Sequence, residues 1–172
     1  MTREQFSQLV ELAGVLYNEA GACANDKHWR AAAFLVAQSV EAGLVATVSC
    51  CEPELRALHA WPSGEKVGAP EHWMFGTLLR VAQTAGWLEP SLPEDTGPVD
   101  AMSGGIGDAV RFLLEVRNLA AHPGRVITGG QLPAHDFTDD LLMARVYPVL
   151  DGIAGAVFDR LNDVVLALPD AP

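Results

Sequence analysis

Val116-Arg117-Asn118-Leu119-Ala120-Ala121-His122-Pro123-Gly124 closes a helical run that opens near Ile106. Apolar residues recur at Ile106, Val110, Leu113, Leu114, Ala120 and Ala121, which is helical spacing. At about 100° per residue, Arg117 falls in the middle of that apolar stripe. A guanidinium there is expensive to desolvate, so it needs a partner or a purpose. On a continued helix His122 would point roughly 140° away from Arg117. Pro123, however, drives its predecessor out of α space, and Gly124 helps the chain turn. The helix is therefore expected to stop near Ala121, with His122 released beside its own helix end or toward a neighbouring subunit.

The remaining chain supplies more helices of the same kind. Thr2 to Ala22 reads as a first helix, with Thr2 and Gln5 spaced as a capping box. His28 to Cys51 is a second, its stripe running through Trp29, Ala33, Val36, Val40, Leu44 and Val48. Arg30, Gln38, Glu41 and Ser49 are its polar positions, and its many alanines allow close helix approach. Glu52 to Ala60 adds a short helix with Pro53 in its first turn. Trp61 to Pro70 is a loop, Glu71 to Leu88 the next helix, and Glu89 to Gly105 a long Pro/Gly-rich connection. Arg125 to Phe137 is a second irregular segment. Asp139 to Leu168 is the last helix, with a kink or a fresh start expected at Pro148. No strand-like alternation occurs. The expectation is an all-α, antiparallel helical bundle of four to five main helices, in one domain spanning residues 1–172, with the motif helix at its centre.

The string Arg117-Asn118-Leu119-Ala120-Ala121-His122-Pro123-Gly124-Arg125 resembles the Rx4-6H motif of the HEPN superfamily (higher eukaryotes and prokaryotes nucleotide-binding). It looks most like the branch that includes the DUF4145 proteins, and helix number and order also fit that branch. The resemblance covers roughly residues 5 to 165, but only the motif is specific. It implies a metal-independent endoribonuclease acting as a homodimer, of toxin or defence type, with a possible antitoxin or regulatory protein as partner. In that picture one motif from each protomer meets the other, and the ribose 2′-hydroxyl attacks the adjacent phosphate. His122 would be the acid/base, since imidazole titrates near neutrality. Arg117 would clamp the phosphate and Asn118 would position both. Arg125 and Arg111 would add substrate contacts. No metal or cofactor is implied.

Each of these residues has a plainer reading. Arg117 can be a partly buried arginine paired with Glu41 or Glu115. His122 can cap the last carbonyls of its helix, Asn118 can solvate the surface, and Arg111 can be a solvated residue. A helical module that binds a nucleotide or protein and cleaves nothing is the alternative function. One departure from the family is visible: the toxin branch paired with nucleotidyltransferase antitoxins carries a tyrosine shortly after the histidine, where Pro123, Gly124 and Arg125 stand here.

The 172 residues are 49% hydrophobic and 19% charged, a globular composition. A net charge of -11 excludes general affinity for phosphate backbones. The motif is nevertheless a locally positive island. Between Ala109 and His135 three arginines face only Glu115, whereas from Asp136 onward seven acids face Arg145 and Arg160. Cys23, Cys50 and Cys51 are read as free thiols in a reducing compartment. The N-terminus lacks an apolar signal core and no uninterrupted apolar run reaches about 18 residues, so a cytoplasmic protein without a membrane span is expected. His122, His135, Asp136, Asp139 and Asp140 match no metal-ligand spacing. Gly104-Gly105-Ile106-Gly107 lacks the strand and lysine of a phosphate loop. Trp29, Trp61, Trp73 and Trp87 are scattered and read as core or interface.

Overall fold

The computed structural model describes residues 1–63, 68–88, 109–121 and 140–168. Their regular structure is entirely helical: α1 (Arg3–Asn25), α2 (Trp29–Cys50), α3 (Glu52–Ala57), a 3-10 turn (Pro70–His72), α4 (Phe75–Thr84), α5 (Ala109–Ala121) and α6 (Asp140–Leu166). The Glu89–Gly105 and Arg125–Phe137 loops lie outside the described residues, as do His122, Pro123, Gly124, Asp139 and Gly104-Gly105-Ile106-Gly107.

Helix ends follow local chemistry. Thr2 forms the expected capping box: Gln5 donates its backbone N–H to the Thr2 hydroxyl, and Gln5 Oε1 accepts from the Thr2 N–H. Three helices stop in the same way. At α1, Lys27 N–H donates to Ala24 O and His28 N–H to Cys23 O. At α3, His59 and Ala60 repeat the pattern onto Arg56 and Leu55, and at α4 Gly86 and Trp87 repeat it onto Gln83 and Ala82. These are Schellman closures, and each places its turning residue in left-handed space, with φ of 63° at Lys27, 56° at His59 and 72° at Gly86.

These closures correct three boundaries, one of them at α3, which ends at Ala57 where the sequence suggested Ala60. α1 runs to Asn25, past Ala22, because nothing before Lys27 turns the chain. The Glu71–Leu88 helix is shorter than expected. Trp73 and Met74 are extended, and the Trp73 indole N–H is tied to Gly68 O at 2.8 Å, so the helix starts only at Phe75. Gly86 then closes it. Pro148 lies inside α6 without dividing it. It forfeits one backbone hydrogen bond, and the buried residues on both sides, Val146, Tyr147 and Leu150, keep the helix in place.

α2, not the motif helix, is the centre of the fold. It packs against α1, α6, α5 and α4. Its buried positions, among them Ala33, Val36, Val40, Leu44 and Val48, reach almost all the way round it, as befits a helix covered on every side. α1 meets it through alanines: Ala13, Ala20 and Ala24 are the buried residues of α1. α5 contributes Phe112, Leu113 and Val116, all fully buried. α1 turns back on α2 after Asp26–His28. α6 runs in the same direction as α2, since Arg30 pairs with Asp140, Trp29 meets the Tyr147 ring, and Gly43 lies beside Phe158 and Leu161.

By length and composition α2 and α6 are each long and apolar enough to cross a membrane. A search for uninterrupted apolar runs misses both, because Arg30, Gln38 and Glu41 break up α2. In α2, 67% of the apolar stretch is buried inside the protein, which accounts for its composition as a core helix; in α6 the share is 39%.

Candidate functional site

Phe112, Leu113 and Val116 anchor α5 on the core, and their helical spacing fixes where Arg117 goes. Arg117 follows Leu113 by one turn and so lies on the packed side, against α2. Its side chain is 23% exposed, and the residue it meets, Glu41, is 19% exposed. Of the two carboxylates available from sequence, Glu41 is therefore the partner. Glu115, two residues before Arg117 on the same helix, points to another side.

The pairing is loose. Arg117 Nε lies 3.4 Å from Glu41 Oε2, and Nη2 lies 3.5 and 3.4 Å from Oε1 and Oε2. Charge-assisted N–H···O bonds close to about 2.7–2.9 Å, so this contact is a Coulombic one with weak directed bonding. The Nε–H is buried and makes no hydrogen bond, although it lies within ion-pair distance of the carboxylate. The tighter contact to Glu41 comes from its own helix: Gln38 Nε2 donates to Oε2 at 2.9 Å. Gln38 thus holds the carboxylate while Arg117 rests against it with donors to spare. Gln38 was visible in sequence only as one of the few polar positions on α2.

Asn118 is half-buried beside Arg117 on α5. Arg111 is exposed, and six residues of helix turn it about 120° from Arg117, so the fold does not bring the two onto one side. His122 and Arg125 lie outside the described residues. So do His135, Asp136 and Asp139; among the described residues no group of three His, Cys, Asp or Glu side chains is placed to hold a metal.

Burial raises the titration of two thiols and a tyrosine elsewhere in the fold. Cys23, Cys50 and Cys51 are free thiols. Burial, reinforced by Glu54 and Cys50, pushes the Cys51 thiol up to about 12, and burial also raises Cys50. Both are thereby removed from thiolate chemistry. Tyr17 is pushed up to about 12, by burial first and then by its hydrogen bond to Asp151 of α6.

No protein-family profile matches this chain, and neither a curated protein nor a solved structure matches it.

Proposed function

We propose that this protein is a metal-independent endoribonuclease of HEPN type, working as a homodimer in the manner of a toxin or defence effector. The observation that carries the reading is Arg117: a guanidinium kept largely out of water on the packed side of α5, loosely held by one carboxylate, with a buried donor unused. A guanidinium held only by long contacts can turn its donors to an anionic oxygen when Glu41 gives way. His122 follows Arg117 at the spacing of the motif.

In the proposed reaction the ribose 2′-oxygen attacks the adjacent phosphorus and the bond to the 5′-oxygen breaks. One imidazole accepts the 2′-hydroxyl proton, and a protonated imidazole gives a proton to the leaving 5′-oxygen. The His122 side chains of the two protomers supply these roles. Arg117 neutralises charge on the phosphoryl oxygens, Asn118 positions it, and Arg125 contacts the RNA; Arg111, turned to another side of α5, is left out of the site. The products are a 2′,3′-cyclic phosphate and a 5′-hydroxyl.

The test is incubation of the purified protein and of His122→Ala with a mixed RNA pool containing tRNA, in EDTA. The expected result is cleavage with cyclic phosphate ends that His122→Ala lowers by about 10²- to 10⁴-fold, with fold and dimer retained. Equal cleavage by both proteins, or none by either, overturns the reading. One observation favours a second reading, a non-catalytic helical module: Glu41 already neutralises Arg117 within the chain. A protein that binds RNA or a partner protein without cleaving, and loses that binding on substitution at the α2–α5 surface, fits that alternative.

A further inference from the structure

The ion pairs of this protein run against expectation. The two exposed pairs close fully, Arg30 on Asp140 at 2.6 Å and Arg56 on Glu52 at 2.8 Å, although water competes for both. Arg117 and Glu41, the least exposed of the three pairs, stay 3.4 Å apart. Desolvated charges gain more from a close contact than solvated ones, so something holds this pair open.

Gln38 is the group placed to do so. It stands one turn before Glu41 on α2 and donates from Nε2 to Glu41 Oε2 at 2.9 Å. The oxygen that lies nearest Arg117 is thus bonded to a residue of its own helix. Arg117 meets the carboxylate with Nε and Nη2 only, and among the described residues Nη1 has no partner. Both side chains keep about a fifth of their exposure, so the pair borders solvent.

An anion that reaches the Nε–Nη2 edge of Arg117 meets Glu41 on the same nitrogens. An ionised carboxylate is acceptor-only, so it offers the anion no bond and repels it. The edge is therefore taken by one acceptor at a time. When Glu41 draws back, Gln38 still gives it a hydrogen bond on α2.

We propose that Glu41 is an internal competitor for Arg117, displaced from the Nε–Nη2 edge by an arriving phosphoryl oxygen, and that Gln38 is the positioning residue that makes it displaceable. The inference rests on the reading of Arg117 as a phosphate-binding group and assigns the control of that site's affinity.

The test titrates uridine 3′-monophosphate into the full chain and follows the Arg117 Nε–H resonance by NMR. This probe carries the phosphate but no internucleotide bond, so binding is read whether or not the protein cleaves RNA. Wild type is expected to bind saturably. Glu41→Gln is expected to bind about tenfold tighter, between the effect of an exposed pair and that of a fully buried one, while being less stable to urea. A pair that served structure alone would lose stability without gaining affinity. Gln38→Met frees the carboxylate to close on Arg117 and is expected to weaken binding about threefold, the scale of a partly solvated contact. Glu115→Gln makes the same change in net charge from another side of α5 and is expected to leave the affinity unchanged. The proposal is overturned if Glu41→Gln binds no tighter than wild type, if Glu115→Gln gains as much, if Gln38→Met binds no more weakly, or if the probe shifts the Nε–H saturably in none of these proteins. RNA cleavage alongside any of those results keeps the ribonuclease and removes the competitor. The expected order of affinities in a protein that cleaves no RNA does the reverse.

Discussion

Replacing Glu41 by Gln tests the contact on which the candidate site rests. The substitution keeps the shape of the side chain and an oxygen for Gln38 to donate to, and removes only the charge facing Arg117. At 3.4 Å and an effective dielectric constant of about 20, two unit charges attract by about 5 kcal/mol. That figure is gross. Both side chains retain about a fifth of their exposure, so water screens the pair, and each has lost hydration on burial. Fully buried pairs cost about 3–5 kcal/mol when one partner is lost and exposed pairs about 0–1. The intermediate burial and the long contact place Glu41→Gln at about 1–2 kcal/mol of destabilisation. The assay is urea unfolding of wild type, Glu41→Gln, Arg117→Met and the double variant. The midpoint should fall with an unchanged denaturant slope, and the cycle should return a coupling of about 1–2 kcal/mol. The double variant should lose less than the sum of the two single variants, since neither charge is then left facing an absent partner. A coupling below about 0.3 kcal/mol would refute the reasoning and leave Arg117 held by something other than Glu41.

Two further effects follow from local geometry. His59 and Lys27 sit in left-handed backbone where a side chain is strained, so His59→Gly and Lys27→Gly should each stabilise by about 0.5–1 kcal/mol, while Gly86→Ala should destabilise by a similar amount; thermal unfolding measures all three. Tyr17, raised from 10.0 to about 12, keeps its proton longer in the folded than in the unfolded state. Its contribution is full below pH 10 and is lost between pH 10 and about 12, so Tyr17→Phe should flatten the fall of the urea midpoint across that window.

The parts of the fold that were legible in sequence are those set by short-range rules. Thr2 and Gln5 announce a capping box because its two bonds need only residues three apart. The stripe of α2 is legible because burial imposes the helical period on Ala33, Val36, Val40, Leu44 and Val48, whereas on α5 the expected stripe holds Leu113 but not the equally buried Phe112 and Val116. The misses have equally definite causes. Lys27 and His59 end helices in a conformation usually given to glycine, so composition carries no warning of them. Gly86 is the expected residue type for such a stop, yet the apolar residues beyond it, Trp87 and Leu88, extend the apparent stripe and conceal it. Trp73 delays the start of α4 through a bond to Gly68 that no periodicity encodes.

The candidate site divides along the same line. That Arg117 needed a partner was readable from one helix, because a guanidinium on an apolar stripe is a local contradiction. Which partner it takes depends on how α5 lies across α2, and sequence left Glu41 and Glu115 level. The fold chooses Glu41 because α2, rather than α5, occupies the centre, and a central helix can carry polar residues only where a neighbour answers them. Gln38 and Glu41 are partly buried polar residues on a helix otherwise buried almost all round, and they stand one turn apart. Gln38 fixes the carboxylate, the carboxylate holds the guanidinium at arm's length, and an unbonded Nε–H remains. A pair serving stability alone gains most by closing to full hydrogen-bond distance and satisfying that donor. Leaving it open costs stability, and the Glu41→Gln cycle measures how much the pair contributes as it stands.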